Sequence, residues 1–258
     1  MRSFVLDDLG AVLRYHDLAG AGRPLVFVHG LGCTSSSDFP AVAADQALAG
    51  RRRILVDLLG SGFSDRPETF PYTIQAHARI LARLVETLTD GPIDLFGHSM
   101  GGAVAIVAAD RLGDRVRALV LGEPNLDPGG GVFSRKIAAI SEADFVTRGH
   151  AALIAAARAE GNGMWAATLE ASAPIAVHRA AVSLVDGDVP SWRDRLGALT
   201  IPRTVIFGAA SLPDPDLEAL PRIGVDVAVL ADAGHSMAWD APAGLARCLA
   251  DRLSQPVG

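Results

Sequence analysis

One serine in this chain has the surroundings that turn a hydroxyl into a nucleophile. Phe96-Gly97-His98-Ser99-Met100-Gly101-Gly102 has the form Gly-x-Ser-x-Gly, directly after the apolar run Ile93-Asp94-Leu95-Phe96 and directly before a helical stretch over 101–112. A serine at so sharp a strand-to-helix turn takes a strained backbone conformation, and bulky residues two positions either side would clash; Gly97 and Gly101 remove that clash. The turn lifts the Ser99 hydroxyl above the strand end, at a helix N-terminus whose dipole favours negative charge. The same glycines would also allow plain close packing with Ser99 as a cap, but the flanking strand and helix favour the chemical reading.

An alkyl hydroxyl attacks poorly until a base takes its proton. Of seven histidines, His235 in Ala233-Gly234-His235-Ser236-Met237 follows the last apolar run and precedes the final helix. Residues just past the carboxyl ends of parallel strands gather along one rim, so Ser99 and His235 meet despite their separation in sequence. His98 is expected to point away from Ser99 under the loop and His29 to brace loops. His16, His77, His150 and His178 read as surface or packing residues. In Val28-His29-Gly30-Leu31-Gly32, glycines let the backbone come close to a substrate. The N–H groups of Leu31 and Met100 are the expected donors to a developing oxyanion.

These groups need a scaffold that brings strand ends together, and the apolar pattern supplies one. Residues 3–7 and 11–17 flank Asp8-Leu9-Gly10 and read as an antiparallel hairpin. Continuous apolar runs at 25–28, 54–56, 93–96, 118–121, 204–207 and 227–230 suit strands buried on both faces, and helical spacing marks 73–89, 101–112 and 242–253. The alternation predicts an α/β fold with a mostly parallel sheet and helices on both faces. Residues 126–195 break the rhythm. They open with Asp127-Pro128-Gly129-Gly130-Gly131 and continue as Ala-rich helices without a strand, so they cannot extend the sheet and are expected to lie over one end of it. The domain reading is a core of 1–125 and 196–258 with 126–195 inserted.

Composition narrows the function classes. Half of the 258 residues are apolar and 20% are charged, which favours collapse over disorder. A formal charge of −6 gives no electrostatic reason to seek nucleic acid or an anionic membrane. Cys33 and Cys248 stand alone, with no CxxC or Cys/His cluster, so neither a disulfide scaffold nor a metal is expected. Asp7 and Asp8 interrupt any signal-peptide apolar core, and a soluble cytoplasmic protein acting on a small molecule is the default expectation. The oligomeric state is left open.

The hairpin, His29-Gly30, the Asp57-Leu58-Leu59-Gly60-Ser61-Gly62-Phe63-Ser64-Asp65 loop, Gly97-His98-Ser99-Met100-Gly101-Gly102 and Ala233-Gly234-His235 together resemble the α/β-hydrolase fold superfamily, in its motif order and over almost the whole chain. The resemblance implies an eight-stranded core, a helical cap inserted after the sixth strand, and a serine hydrolase with no metal and no organic cofactor. It also implies an acid after the seventh strand in a Gly-x-x-Asp turn, where this chain has Gly208-Ala209-Ala210-Ser211. Two readings follow. Asp214 or Asp216 reaches back from a rearranged loop; or the acid has moved to the sixth strand end, Leu121-Gly122-Glu123-Pro124, as in some dehalogenases of this fold. A charge ending a buried strand needs a partner to offset desolvation. Glu123 is therefore taken as the acid, with Asp214 or Asp216 as the alternative.

The expected reaction is acyl transfer to water through a covalent intermediate, on a small or medium, largely apolar ester, lactone or amide. Phe133, Phe145, Met164 and Trp165, with Leu153, Ile154 and Trp192, would line its pocket or else form packing faces of cap helices. Arg135, Arg148, Arg158 and Arg179 would meet an acidic substrate or, as the plainer reading, form a solvated face. A cofactor-free lyase, C–C hydrolase or perhydrolase on the same fold is the first rival, and a non-catalytic ligand receptor the second.

Overall fold

The computed structural model describes residues 1–254. Its strands are β1 (Arg2–Leu6), β2 (Ala11–Leu18), β3 (Ala21–Val28), β4 (Arg51–Asp57), β5 (Ile93–His98), β6 (Val116–Gly122), β7 (Arg203–Gly208) and β8 (Asp226–Leu230). They form one eight-stranded sheet in the order β1-β2-β4-β3-β5-β6-β7-β8. β2 runs antiparallel to β1 and β4, and every later pairing is parallel. The hairpin and the six apolar runs read from sequence are all strands. β5 extends past Phe96 because Gly97 and His98 pair with Leu121 and Gly122 of β6; neither carries an apolar side chain that would mark the extension.

The central strands are continuously apolar because both faces are covered. Successive side chains of β3 point to opposite faces. Val26 and Val28 join Leu95, Leu119 and Leu121 in one core cluster, while Leu25 and Phe27 join Phe96, Val120 and Ile206 in another. After β3 come the short helices α1 (Ser35–Asp38) and α2 (Pro40–Ala44). The first cluster is closed by α3 (Ile74–Leu88) and α4 (Met100–Leu112). α3 starts where the Thr73 hydroxyl accepts the Ala76 N–H, at 3.2 Å. Ile74, Ala78, Leu81 and Val85 then recur on its buried side.

Between β6 and β7 the regular elements are helices: α5 (Val132–Ala138), α6 (Glu142–Asp144), a π-turn at Phe145–Gly149, α7 (His150–Ala159), α8 (Gly163–Glu170), α9 (Pro174–Asp186) and α10 (Trp192–Ala198). Ile137, Phe145, Ile154, Trp165 and Leu169 form a separate small core here, which also takes in Cys33. α9 and α10 reach the main core as well: Ala176, Ala180 and Leu184 of α9 join it, Trp192 and Leu196 of α10 are fully buried in it, and Arg195 pairs with Asp110 of α4. The boundary read at 195 therefore cuts a helix that packs against the sheet layer. Among the contacts that tie the helical segment back are Ala173 N–H to the Gly60 carbonyl (2.7 Å), Gly62 N–H to the Ala171 carbonyl (2.9 Å), Ile74 N–H to the Ser183 hydroxyl (3.1 Å), and Arg193, which pairs with both Asp127 and Asp216.

The chain closes with α11 (Asp216–Arg222), α12 (Met237–Asp240) and α13 (Pro242–Ser254), whose Leu245, Leu249 and Leu253 cover the second face of the sheet. Positions 255–258 of the segment read as 196–258 lie outside the described residues. Among the described residues no helix is long and apolar enough to cross a membrane.

Candidate active site

The turn after β5 has the conformation its glycines require. Ser99 sits at φ +53°, ψ −120°, a region that L residues enter only when their surroundings force it. Its N–H donates to the Gly122 carbonyl at 2.8 Å, and its carbonyl accepts from Gly102 N–H at 2.9 Å. A Cβ on Gly97 would lie 2.4 Å from the Gly101 carbonyl oxygen, and one on Gly101 would lie 2.3 Å from that of Val28. Neither position admits a side chain. Met100 begins α4, so its N–H belongs to the first turn and has no intrahelical acceptor.

The next strand delivers a carboxylate to the same rim. Glu123, just past β6, is another of the few non-glycine residues with positive φ, at +38°. Its N–H donates to the Ile206 carbonyl at 3.0 Å, and its side chain reaches His235. Oε2 lies 2.7 Å from His235 Nδ1, and Oε1 accepts the Gly208 N–H at 2.9 Å. Burial pushes the Glu123 carboxyl up, but hydrogen bonds from His235, Gly208 and the Ser211 hydroxyl outweigh it and hold the group below its ordinary value. With Nδ1 facing a carboxylate, Nε2 of His235 is the nitrogen left to accept a proton. Ser211, at the position where the resemblance placed an aspartate, lies beside the Glu123 carboxylate.

The alternative acids are engaged elsewhere. Both oxygens of Asp216 are held by Arg193, at 2.8 and 3.1 Å, and Asp214 accepts the Asp216 N–H at 2.8 Å to start α11. His98 lies beneath His235, ring centroids 4.8 Å apart, and its Nε2–H donates to the His235 carbonyl at 2.7 Å. Burial, reinforced by the neighbouring His235 ring, pushes His98 down to about 3 and keeps it neutral. His29 is buried between the Gly30 carbonyl (2.9 Å) and the Leu58 N–H (3.1 Å), a neutral brace for two loops.

Ser99, His235 and Glu123 open onto one cavity of about 440 Å³. No hydrogen bond joins Ser99 to His235 among the described residues; contacts of this kind are often long without substrate and tighten in the complex. Leu31, Phe133 and Trp165 line the cavity. Trp165 packs against Phe133 with ring centroids 4.4 Å apart, and its Nε1–H donates to the Leu31 carbonyl at 3.0 Å. Met100 is buried behind the wall.

Two expected pocket residues are not in the wall. Phe145 is buried in the small helical core between His150 and His178, and Met164 is 53% exposed on the outer side of α8. Ile154 and Leu153 pack in the helical core, and Trp192 lies in the main one. The four arginines are taken up by local partners: Arg135 by the Gly130 carbonyl, Arg148 by Asp144, Arg158 by Glu170, and Arg179 by Glu142. Sequence reading missed Asp38, Asn125, Asn162 and Trp239, all of which line the cavity. Their side chains sit on turns and short helices, where no periodicity says which way they face.

Comparison with known proteins bears on the whole arrangement. The chain is 36% identical over 115 residues to the 2-hydroxy-6-oxo-2,4-heptadienoate hydrolase of Pseudomonas putida, a match covering 43% of this chain but only 41% of that protein. It is 30% identical over 219 residues to Lipase LipV of Mycobacterium tuberculosis, covering 76% of this chain and 81% of the relative. Among solved structures, an esterase from Thermogutta terrifontis superposes with a TM-score of 0.77 at 26% identity, over 94% of this chain and 93% of that one. An esterase from Exiguobacterium antarcticum shares the fold, with a TM-score of 0.80 at 21% identity over 95% and 97% of the two chains. A family model described as alpha/beta hydrolase fold matches residues 23–242, and the chain belongs to that family.

Proposed function

We propose that this protein is a serine hydrolase of small or medium, neutral, largely apolar esters, lactones or amides. Ser99 Oγ attacks the substrate carbonyl carbon while His235 Nε2 takes its proton. The new C–O bond forms as the carbonyl π pair moves onto oxygen, and the N–H groups of Leu31 and Met100 stabilise that negative oxygen. The tetrahedral intermediate collapses as protonated His235 hands its proton to the departing alcohol or amine, leaving an acyl-Ser99. Water, deprotonated by His235, then releases the acid and restores the serine. Glu123 holds the imidazole in the tautomer that makes Nε2 the base.

The observation that carries this reading is the 2.7 Å contact between Glu123 and His235 Nδ1 on a wall shared with Ser99. The helical segment over the site acts as a cap through Phe133 and Trp165. Substrate charge follows from the lining: among the described residues no lysine or arginine faces the cavity. A relative named for a dienoate acts on an anion, which this cavity has no cation to balance, so the neutral ester is the better fit. The test is hydrolysis of p-nitrophenyl acetate, butyrate and octanoate by wild type, Ser99→Ala and His235→Ala. Turnover by wild type, reduced by at least about 10³-fold in both variants, supports the proposal. Folded wild type inert toward every ester, lactone and amide offered would refute it.

A further inference from the structure

Beside the groups assigned to the chemistry, two residues of the cavity wall carry buried polar atoms that make no hydrogen bond among the described residues. Asp38, at the end of α1, lines the cavity yet is only 5% exposed, and its Oδ1 has no hydrogen-bond partner among the described residues. Trp239, in α12, lines the same cavity, and its Nε1–H is likewise buried and unpartnered. Both adjoin one cluster of side chains. Cys33 adjoins the Asp38 carboxyl, and Trp239 packs against the group that contains Cys33 and Trp165. Buried polar groups are almost always paired, and an unpaired one calls for a partner. Two of them on the wall of one substrate cavity indicate that the partner arrives with the substrate.

Charge and donor chemistry say what that partner is. Burial pushes Asp38 up to about 8; hydrogen bonds from Cys33 and the Thr34 N–H oppose the rise and the nearby Asp57 charge adds to it. At neutral pH the group is a carboxylic acid and donates through its O–H, and an indole N–H only donates. The last torsion of an aspartate is a broad, two-fold rotor, so the carboxyl can turn to aim an oxygen at the cavity. Two donors fit one acceptor oxygen with two lone pairs. A carboxylate ligand would bring a charge that no cation in the wall offsets, whereas a ketone or amide carbonyl needs none.

We propose that Asp38 and Trp239 form a donor pair that selects substrates carrying a second, neutral carbonyl oxygen besides the scissile one. The proposal rests on the serine-hydrolase reading for what the cavity holds, but it is tested by binding alone. In a Ser99→Ala background, dissociation constants are measured by tryptophan fluorescence for methyl 3-, 4- and 5-oxohexanoate against methyl hexanoate, and for 4-oxopentyl acetate against pentyl acetate. At least one oxo ester is expected to bind about fivefold or more tighter than its alkyl counterpart. Asp38→Leu should bring that ratio to about one, Asp38→Asn, which keeps a donor, should retain most of it, and Trp239→Phe should reduce it. If Asp38→Leu fails to fold by circular dichroism, Trp239→Phe carries the test. The proposal is overturned if no oxo ester is preferred, or if Asp38→Leu weakens oxo and alkyl esters equally. Should oxo esters be preferred in Ser99→Ala while wild type turns over none of them, the hydrolase reading fails and the subsite stands.

Discussion

Glutamine in place of Glu123 keeps the side chain's shape but replaces the carboxylate facing His235 Nδ1 with a neutral amide. Toward a neutral p-nitrophenyl ester, kcat is expected to fall by about 10³–10⁴-fold in Glu123→Gln, with the far-ultraviolet dichroism unchanged. Asp216→Asn, which disturbs only the Arg193 pairing, should stay within about threefold of wild type, since Arg193 keeps its pairing with Asp127. A reversed order of the two losses would move the acid to the α11 side. Ser99 and His235 were legible in the sequence because glycine spacing and strand order place them without any knowledge of packing. Glu123 was legible because a charge ending a buried strand demands a partner. Asp38 and Trp239 were not, and neither was the fact that Phe145 and Met164 face away from the cavity. An apolar residue in a short helix reads alike whichever way it points, and only the fold decides.

At the scale of elements, the helical segment is fastened at points that bear on the site. Trp165 of α8 pins the Leu31 carbonyl, and so fixes the peptide next to an expected oxyanion donor. Trp165→Phe keeps most of the ring's packing against Phe133 but loses that hydrogen bond. It should lower kcat for butyrate esters several-fold, on the order of one hydrogen bond's worth, with little change in melting temperature. A loss confined to KM would mean that Trp165 serves only as pocket wall. Arg193 bridges Asp127, at the start of the helical segment, and Asp216 on α11, with its own side chain 28% exposed. Arg193→Ala should cost about 1 kcal/mol and lower the melting temperature by about 2–4 °C, measured by scanning calorimetry. The sequence revealed the strandless stretch but not how it is divided. α10 carries the same helical pattern as its neighbours, and only the burial of Trp192 and Leu196 assigns it to the core layer.

Over the whole molecule, buried titratable groups pull stability in opposite directions with pH. Burial pushes His77 and His98 down to about 3, whereas unfolded histidine titrates near 6.5. Below about pH 6.5 the unfolded chain takes up protons that the folded one refuses, and by pH 5 each imidazole removes about 2 kcal/mol. Asp38 acts the other way. Its folded value of about 8 lies above the unfolded carboxyl, so its contribution is full at low pH and is lost as pH climbs toward 8. These imidazoles, with His29 and His150 also pushed down by burial, outweigh one carboxyl and leave a net rise up to about pH 6.5 and a fall beyond it. Melting temperature across pH 4.5–8.5 should peak near 6.5, and Asp38→Asn should flatten the alkaline side. A curve still rising between pH 6.5 and 8 would contradict that balance.

The central claim, a serine hydroxyl made nucleophilic by His235, is tested most directly by intact-mass measurement after exposure to a fluorophosphonate. One adduct per chain is expected, mapping to the Ser99 peptide, absent in Ser99→Ala and slower to form in Glu123→Gln. Wild type that is folded yet unlabelled, or an adduct on another residue, would contradict it.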